Sequence, residues 1–293
     1  MSPAMKGGGL RPVLRLRGVG ARLGEREVLR DIDLDVPAGT SLGIVGVNGV
    51  GKSTLLRIMA GVLRPTTGTA ELADTSGQLH EIGRVGSRER ARRLSYVPQE
   101  EVASAELLVG EMVALGRVPR TRPWSRGGTQ EREIVRSALD AVGLADRIDD
   151  PCERLSGGER RRAVLARGLA QRCPVMLLDE PTNHLDVAWQ LRLLQTVADQ
   201  AETLVVTIHD LDLALRSFDR LAVLGRHPGS DPGGDAAGDE QSGPATVVAH
   251  GPPAEVLDTI GVDLHFGVGS VQVPHPHLEQ PHLLIHPRKD HST

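Results

Sequence analysis

Apolar and polar side chains alternate along the first part of the chain. From Val13 to Val36 the alternation has a period of two, as in the stretch Val13-Leu-Arg-Leu-Arg. This period is typical of strands that bury one face. We therefore expect a pair of antiparallel strands that turns near Gly24. Residues 1–11, which precede this pattern, are expected to form a flexible tail.

Short apolar runs and helical patterns then follow one another along the rest of the chain. Apolar runs that predict buried strands occur at 41–45, 175–178 and 203–208. Helical spacing of apolar residues occurs at 52–60, 107–115, 131–142 and 156–171. Alternation of strands and helices indicates a mostly parallel sheet with helices on both faces.

One segment has a different composition. Residues 226–245 are acidic and rich in Gly and Pro, which predicts a disordered loop. It falls between two short predicted strands, Arg220–Leu224 and Thr246–Ala249.

The overall charge and composition narrow the classes of function. The chain has 34 Lys and Arg against 38 Asp and Glu, a net charge of −4, and only 2% aromatic residues. A protein that binds nucleic acid would have a basic footprint or stacking aromatics, so we expect no nucleic-acid partner.

The N-terminus does not resemble a signal peptide, and no apolar run is long enough to span a bilayer. Cys152 and Cys173 match no metal-binding spacing and are expected to be free thiols in a reducing cytosol.

A glycine-rich segment predicts a phosphate-binding loop. Gly46-Val-Asn-Gly-Val-Gly-Lys-Ser53 fits the pattern G-x-x-x-x-G-K-[ST], between a predicted strand and a predicted helix. Glycines let the backbone N–H groups curl around phosphate oxygens, and the helix start adds its positive end. Lys52 is expected to reach the β- and γ-phosphates, and the Ser53 hydroxyl to hold Mg²⁺. Taken alone, this loop leaves kinases, GTPases and helicases open. The residues that we expect to bind the nucleotide here are Gly46, Asn48, Gly49, Gly51, Lys52, Ser53 and Thr54.

Two carboxylates follow the apolar run at 175–178. Asp179 is placed to hold Mg²⁺, and Glu180 is placed to polarise or deprotonate an attacking water. The alternative for Glu180 is a surface acid that begins the next segment. His209, directly after the run at 203–208, is either structural or a contact to the γ-phosphate.

A second helix start also has the features of a phosphate site. Leu155-Ser-Gly-Gly-Glu159 combines a capping serine with two glycines that leave backbone N–H groups bare. One P-loop site does not need a second phosphate-binding helix start. We therefore expect Ser156, Gly157, Gly158 and Glu159 to close over the nucleotide that is bound by a second copy of the chain.

With these motifs in this order, the chain resembles the ATP-binding cassette (ABC) family over residues 13–290, in which LSGGE is the signature. The resemblance implies an α/β P-loop NTPase core of the RecA-like type, with an antiparallel β subdomain and an α-helical signature subdomain. Gln99 resembles the family's Q-loop residue, which touches Mg²⁺ and senses the membrane partner. Asn183-His-Leu-Asp186 resembles the D-loop, which crosses to the other copy, and His209 resembles the switch histidine.

The resemblance also implies how the chain is divided. After the tail at 1–11, a single nucleotide-binding domain covers 12–290. Its parts are a β subdomain with the P-loop core (12–98), a helical subdomain (99–157), a further core region (158–225), the acidic insert (226–245) and a C-terminal extension (246–290).

The mechanism that the resemblance implies involves partners. Two copies pack head to tail around two Mg-ATP molecules, Glu180 and His209 support hydrolysis, and the helical subdomain receives a permease. The expected place of action is the cytoplasmic side of the cell (inner) membrane, with an extracytoplasmic substrate-binding protein as an indirect partner. One departure is that Leu23 stands where family members usually have an aromatic residue that stacks on adenine.

Within the family, the chain most resembles the ATPases of iron–siderophore, haem and cobalamin importers, through stretches such as Met112–Pro119 and His209–Ala214. The alternatives are an importer of another cargo such as a metal ion, an exporter half, or a soluble cassette ATPase that acts on ribosomes or DNA. The C-terminal histidines are expected to lie in a solvated tail rather than in a metal site. They are His275, His277, His282, His286 and His291.

Overall fold

The computed structural model describes residues 11–99, 106–121, 128–183, 185, 187–226, 243–259, 266–273 and 281–287. The predicted flexible tail, apart from Arg11, and most of the predicted acidic insert lie outside these ranges.

Strands and helices alternate in the middle of the described chain, and strands predominate at both of its ends. The strands are β1 (Pro12–Leu23), β2 (Arg26–Pro37), β3 (Ser41–Val45), β4 (Thr67–Ala73), β5 (Leu79–Glu81), β6 (Leu94–Val97), β7 (Val175–Asp179), β8 (Thr203–Thr207), β9 (Arg220–Arg226), β10 (Ala245–Gly251), β11 (Val268–Val273) and β12 (His282–Pro287). The helices are α1 (Lys52–Met59), α2 (Ser87–Arg93), α3 (Val109–Ala114), α4 (Thr129–Ala141), α5 (Gly157–Ala170), α6 (Val187–Gln200), α7 (Leu211–Ser217) and α8 (Pro253–Thr259).

The predicted antiparallel pair forms at the start of the chain. Leu14 pairs with Val36 and Leu16 with Leu34, and all four side chains are buried. The alternation of the sequence places these leucines and valines on the inner face of the pair. Gly24, with φ 62°, lies in the turn between the strands, so the predicted turn is confirmed.

A single 10-stranded sheet contains both the antiparallel and the parallel strands, in the order β5-β4-β1-β2-β10-β9-β3-β8-β7-β6. Strands β9, β3, β8, β7 and β6 are parallel to one another, as predicted for the core. Strand β10 joins the two halves: it pairs antiparallel with β9 and contacts β2 through Ala245 and Leu29.

Helices cover both faces of the parallel strands. Val175 and Leu177 of β7 belong to the apolar cluster that includes α1, whereas Met176 and Leu178 belong to the cluster that includes α3, α4 and α5. A strand that is buried on both faces reads as a continuous apolar run. The run at 175–178 follows this rule.

The C-terminal part differs from the predicted solvated tail. Strands β11 and β12 form an antiparallel pair, and Leu283 of β12 is buried. The His282 imidazole lies 3.1 Å from Asp212 on α7, so this pair is held against the domain. His286 also lies on β12, while His275, His277 and His291 fall outside the described residues. The tail prediction is therefore wrong for residues 282–287.

The described residues contain no helix that is long and apolar enough to cross a membrane. Cys152 and Cys173 are free thiols, as predicted, and both are buried.

Candidate functional site

The predicted phosphate-binding loop connects the end of β3 at Val45 to the start of α1 at Lys52. Two of its glycines have backbone angles that disfavour other residues, with φ 74° at Gly49 and φ 117° at Gly51. A Cβ at Gly51 would also come within 2.8 Å of the Leu29 side chain. The loop can therefore take this shape only with glycine at position 51.

Lys52 lies beneath the loop. Its Nζ donates hydrogen bonds to the carbonyl oxygens of Gly46 at 2.8 Å and Val47 at 3.3 Å, and lies 3.5 Å from Glu180 Oε1. Burial lowers the pKa of Lys52, and the charge of Glu180 opposes this shift. A buried ammonium group that is held by backbone carbonyls is well placed to receive a more strongly charged phosphate oxygen.

Asp179, at the carboxyl end of β7, has one satisfied carboxylate oxygen and one bare one. Its Oδ1 accepts hydrogen bonds from Ser53 Oγ at 3.0 Å and from Thr207 Oγ1 at 2.8 Å. Its Oδ2 is buried and has no hydrogen-bond partner among the described residues. A buried carboxylate oxygen without a partner is costly, and carboxylate and hydroxyl oxygens are donors that suit Mg²⁺. The chemistry of Asp179 and Ser53 therefore fits a magnesium ion.

Glu180 is buried, and both its backbone and its side chain form hydrogen bonds with neighbouring residues. It is 8% exposed, and its φ of 47° lies in the left-handed region, which costs a non-glycine residue roughly 1–2 kcal/mol. Its N–H donates to Thr207 Oγ1 at 2.8 Å, and its Oε2 accepts from Asn183 Nδ2 at 2.6 Å. The alternative of a surface acid is therefore wrong.

His209 lies beside the same carboxylate. Its Nδ1 is 3.4 Å from Glu180 Oε1, and its Nε2 forms a hydrogen bond with Asn183 Oδ1. A strained backbone that is held by several side chains is typical of functional sites. Glu180, Asn183 and His209 form one connected polar group beside the phosphate-binding loop.

A cavity of about 650 Å³ brings most of the predicted residues together. Those that line it are Asn48, Gly49, Gly51, Lys52, Ser53, Thr54, Gln99, Glu180 and His209. Gly46 and Asp179 do not line the cavity themselves. Gly46 accepts a hydrogen bond from Lys52, and Asp179 accepts one from Ser53. Leu23 and Val28, from the two sides of the β1–β2 turn, add apolar surface to the cavity, which suits a base that is not stacked on an aromatic ring.

The signature residues lie at the start of another helix. Ser156 caps α5 through a reciprocal pair of hydrogen bonds with Glu159. The Ser156 N–H and hydroxyl groups that donate to Glu159, helped by Arg147, lower the pKa of this carboxyl to about 2. The structure describes Ser156, Gly157, Gly158 and Glu159, and none of them lines the cavity. Asp186 lies outside the described residues.

Sequence reasoning missed three residues that hold the acidic groups of the site by hydrogen bonds. Thr207 links Asp179 to Glu180, Asn183 links Glu180 to His209, and Arg161 of α5 donates to the carbonyl oxygen of Glu180. Asn183 stands in the segment that resembles the D-loop, which was its only signal. Nothing local distinguishes Thr207 or Arg161 from other residues of a strand and a helix.

The fold and the cavity together define a P-loop nucleotide-binding domain. The chain matches the family profile described as ABC transporter over residues 29–183, which is just over half of its length. The chain belongs to the ABC transporter family.

Its similar relatives include ATP-binding proteins of import systems. It is 37% identical to the hemin import ATP-binding protein HmuV of Rhodococcus jostii over 285 residues, 94% of this chain and 87% of the relative. It is 32% identical to the ferric enterobactin transport ATP-binding protein FepC of Escherichia coli over 270 residues, 90% of this chain and 91% of the relative. It is 41% identical to the cobalamin import ATP-binding protein BtuD of Halobacterium salinarum over 216 residues, 72% of this chain. The match spans only 52% of that last relative's length.

Solved structures have the same fold. An ABC transporter in an inward-facing conformation matches with a TM-score of 0.72 and 22% identity, covering 94% of this chain and 97% of that chain. A dimeric ATP-binding cassette bound to ADP and phosphate matches with a TM-score of 0.63 and 25% identity, covering 72% of this chain and 93% of that chain.

Proposed function

We propose that this chain is the ATP-hydrolysing subunit of an ABC importer for an iron–siderophore, haem or cobalamin cargo. The observation that carries the hydrolytic part of the proposal is that Lys52, Glu180 and His209 line one cavity together with the phosphate-binding loop. The names of the similar relatives support the import part. A lysine for phosphate and a buried carboxylate for water are the groups that hydrolysis of a nucleoside triphosphate requires.

The proposed reaction is the transfer of the γ-phosphoryl group of ATP to water. The water oxygen bonds to the γ-phosphorus while the bond to the β–γ bridging oxygen breaks, which releases ADP and inorganic phosphate. Glu180 accepts the proton from the attacking water. Lys52 neutralises charge on the β- and γ-phosphates, and His209 holds the γ-phosphate beside Glu180.

Ser53, Asp179 and Gln99 are the residues that we propose to hold Mg²⁺. When bound, the ion neutralises negative charge on the phosphates and helps to orient them. The bare Oδ2 of Asp179 supports this assignment. Thr207 contributes by fixing the other oxygen of the same carboxylate at 2.8 Å.

The assembly that we propose is a homodimer bound to a membrane permease. Ser156, Gly157, Gly158 and Glu159 would close over the ATP of the second copy, with Asp186 crossing between copies. The dimeric cassette among the similar structures supports this arrangement. The import functions in the relatives' names support a place at the cytoplasmic side of the cell membrane and an indirect link to a substrate-binding protein.

The catalytic assignment is tested with Glu180→Gln, which keeps the side-chain size but removes the base. We expect the variant to bind Mg-ATP, to accumulate as a dimer in size-exclusion chromatography, and to hydrolyse ATP at least about 100-fold more slowly than the wild type. Glu133→Gln, at an exposed position on α4, is the matched control and should keep wild-type turnover. Near-normal turnover of Glu180→Gln would disprove the role of Glu180.

The transport assignment needs a separate measurement. The tagged chain is recovered from detergent-solubilised native membranes, and the proteins that accompany it are identified by mass spectrometry. A polytopic permease together with a binding protein for iron chelates supports the proposal. Ribosomal or DNA-repair proteins without a permease would contradict it.

A further inference from the structure

The backbone of Glu180 is held from two different elements. Its N–H donates to Thr207 Oγ1 on β8 at 2.8 Å, and its carbonyl oxygen accepts a hydrogen bond from the Arg161 guanidinium on α5. Because the φ of Glu180 is 47°, its peptide groups are in a conformation that the residue does not adopt without support. Each of the two bonds opposes relaxation of that backbone.

Arg161 lies on the helix that begins at the signature. It stands five residues after the capping Ser156, in the second turn of α5. Any displacement of α5 that brings Ser156 towards a second copy therefore also displaces Arg161. The guanidinium bond passes such a displacement directly to the backbone of Glu180 in the same chain.

The next residue of α5, Arg162, contacts helix α6, which follows Glu180 and Asn183 in the chain. The Arg162 guanidinium stacks over the Trp189 ring on α6, 4.4 Å from its centroid, and donates to the Val142 carbonyl oxygen at 3.0 Å. Helix α6 begins a few residues after Glu180 and Asn183. The signature helix thus contacts the chain at Glu180 through Arg161 and beyond Asn183 through Arg162.

We propose that Arg161 is a positioning residue that sets the orientation of Glu180 according to the position of the signature helix. The proposal rests on the proposed function of Glu180 as the base for ATP hydrolysis. Arg161 does not line the nucleotide cavity. It acts through the Glu180 carbonyl, so that the carboxylate points at the attacking water only when α5 is in place.

The kinetic test compares Arg161→Met, which keeps the aliphatic stem and removes the donors, with Arg161→Lys, which keeps a cation and N–H donors of similar reach. For Arg161→Met we expect kcat for Mg-ATP to fall about 10-fold or more, with KM and nucleotide Kd within about twofold of wild type. Arg161→Lys should recover most of the lost kcat. Arg136→Met, at an exposed position on α4, is the matched control and should keep wild-type values. Wild-type kcat in Arg161→Met would overturn the proposal, and so would equal losses in Met and Lys with a lowered Tm.

A second readout does not depend on turnover. Hydrogen exchange of the peptide over residues 177–183 is measured in the full chain without nucleotide. We expect exchange about 10-fold faster in Arg161→Met than in the wild type. The Glu180 carbonyl oxygen would lose its hydrogen bond from Arg161 and keep only the long one from the Asn183 N–H at 3.4 Å. Arg161→Lys and Arg136→Met should exchange at close to the wild-type rate. If the wild type hydrolyses no Mg-ATP, the proposed function fails while exchange still decides the Arg161–Glu180 link; unchanged exchange in Arg161→Met overturns that link.

Discussion

At the scale of single residues, Thr207 holds two acidic neighbours at once. Its hydroxyl donates to Asp179 Oδ1 and accepts from the Glu180 N–H, each at 2.8 Å, and the residue is fully buried. Thr207→Val keeps the shape but leaves a buried N–H without a partner. We expect a loss of about 1–3 kcal/mol in the free energy of unfolding and a fall in kcat of about 10-fold. Denaturant unfolding and steady-state ATPase kinetics measure the two effects.

A control for this prediction lies at the other end of the same strand. Thr203 is 2% exposed, and its hydroxyl accepts a hydrogen bond from the Gly39 N–H at 3.0 Å. Thr203→Val should therefore also lower stability, but it should leave kcat unchanged. Equal losses of kcat in the two variants would mean that Thr207 acts through stability alone.

The parts of the site that follow from the sequence are those encoded in short segments. The loop from Gly46 to Ser53, the pair Asp179–Glu180 and the capped start of α5 each carry their chemistry within a few residues. Thr207 has no such signal, because it reaches the site only through the register that sets Asp179 beside it across β7 and β8. Pairings between distant strands are a property of the folded chain.

At the scale of elements, the same distinction separates what was predicted from what was missed. Alternation along β1 and β2 predicts their pairing, since the partner is only a turn away. The insertion of β10 between β2 and β9 joins residues some 200 positions apart in places, such as Ala245 and Leu29, and no local pattern encodes it. The β11–β12 pair was missed because prolines and histidines masked the strand signal, although Leu283 anchors it in the core.

The start of α5 supports a prediction about pH. The pKa of Glu159 is lowered to about 2 by its bonds to Ser156, so its stabilising effect is present above its unfolded pKa of about 4.3 and is lost as pH falls towards 2. We expect Glu159→Gln to cost about 1 kcal/mol at pH 7. That difference from the wild type should shrink steadily as pH falls below about 4.3.

Denaturant unfolding of the wild type and Glu159→Gln between pH 7 and pH 3 measures this difference. Glu153→Gln, at an exposed position just before the signature, should show no comparable loss at any pH. A cost of Glu159→Gln that stays constant over the whole range would mean that the cap does not depend on the charge of Glu159.

At the scale of the whole molecule, the chain carries two helix starts that are suited to phosphate, and the nucleotide cavity formed by the described residues includes only one of them. The start of α1 lines that cavity, whereas Ser156, Gly157 and Gly158, all of them described, do not. A helix start with bare N–H groups favours an anion. A twofold dimer would supply one by placing each signature against the nucleotide of the other copy.

This arrangement predicts that two inactive variants restore activity when they are mixed. Lys52→Ala disables a chain's own phosphate loop, and Gly158→Asp places a negative charge at its signature, so each variant alone should hydrolyse no ATP. In a random mixture half of the dimers are mixed, and each mixed dimer has one intact site of two. We therefore expect about a quarter of the wild-type rate if the sites act independently. A mixture of Lys52→Ala with Lys52→Met, which share one defect, should stay inactive. If the first mixture is also inactive although mixed dimers form, the signature does not complete the site of a second copy.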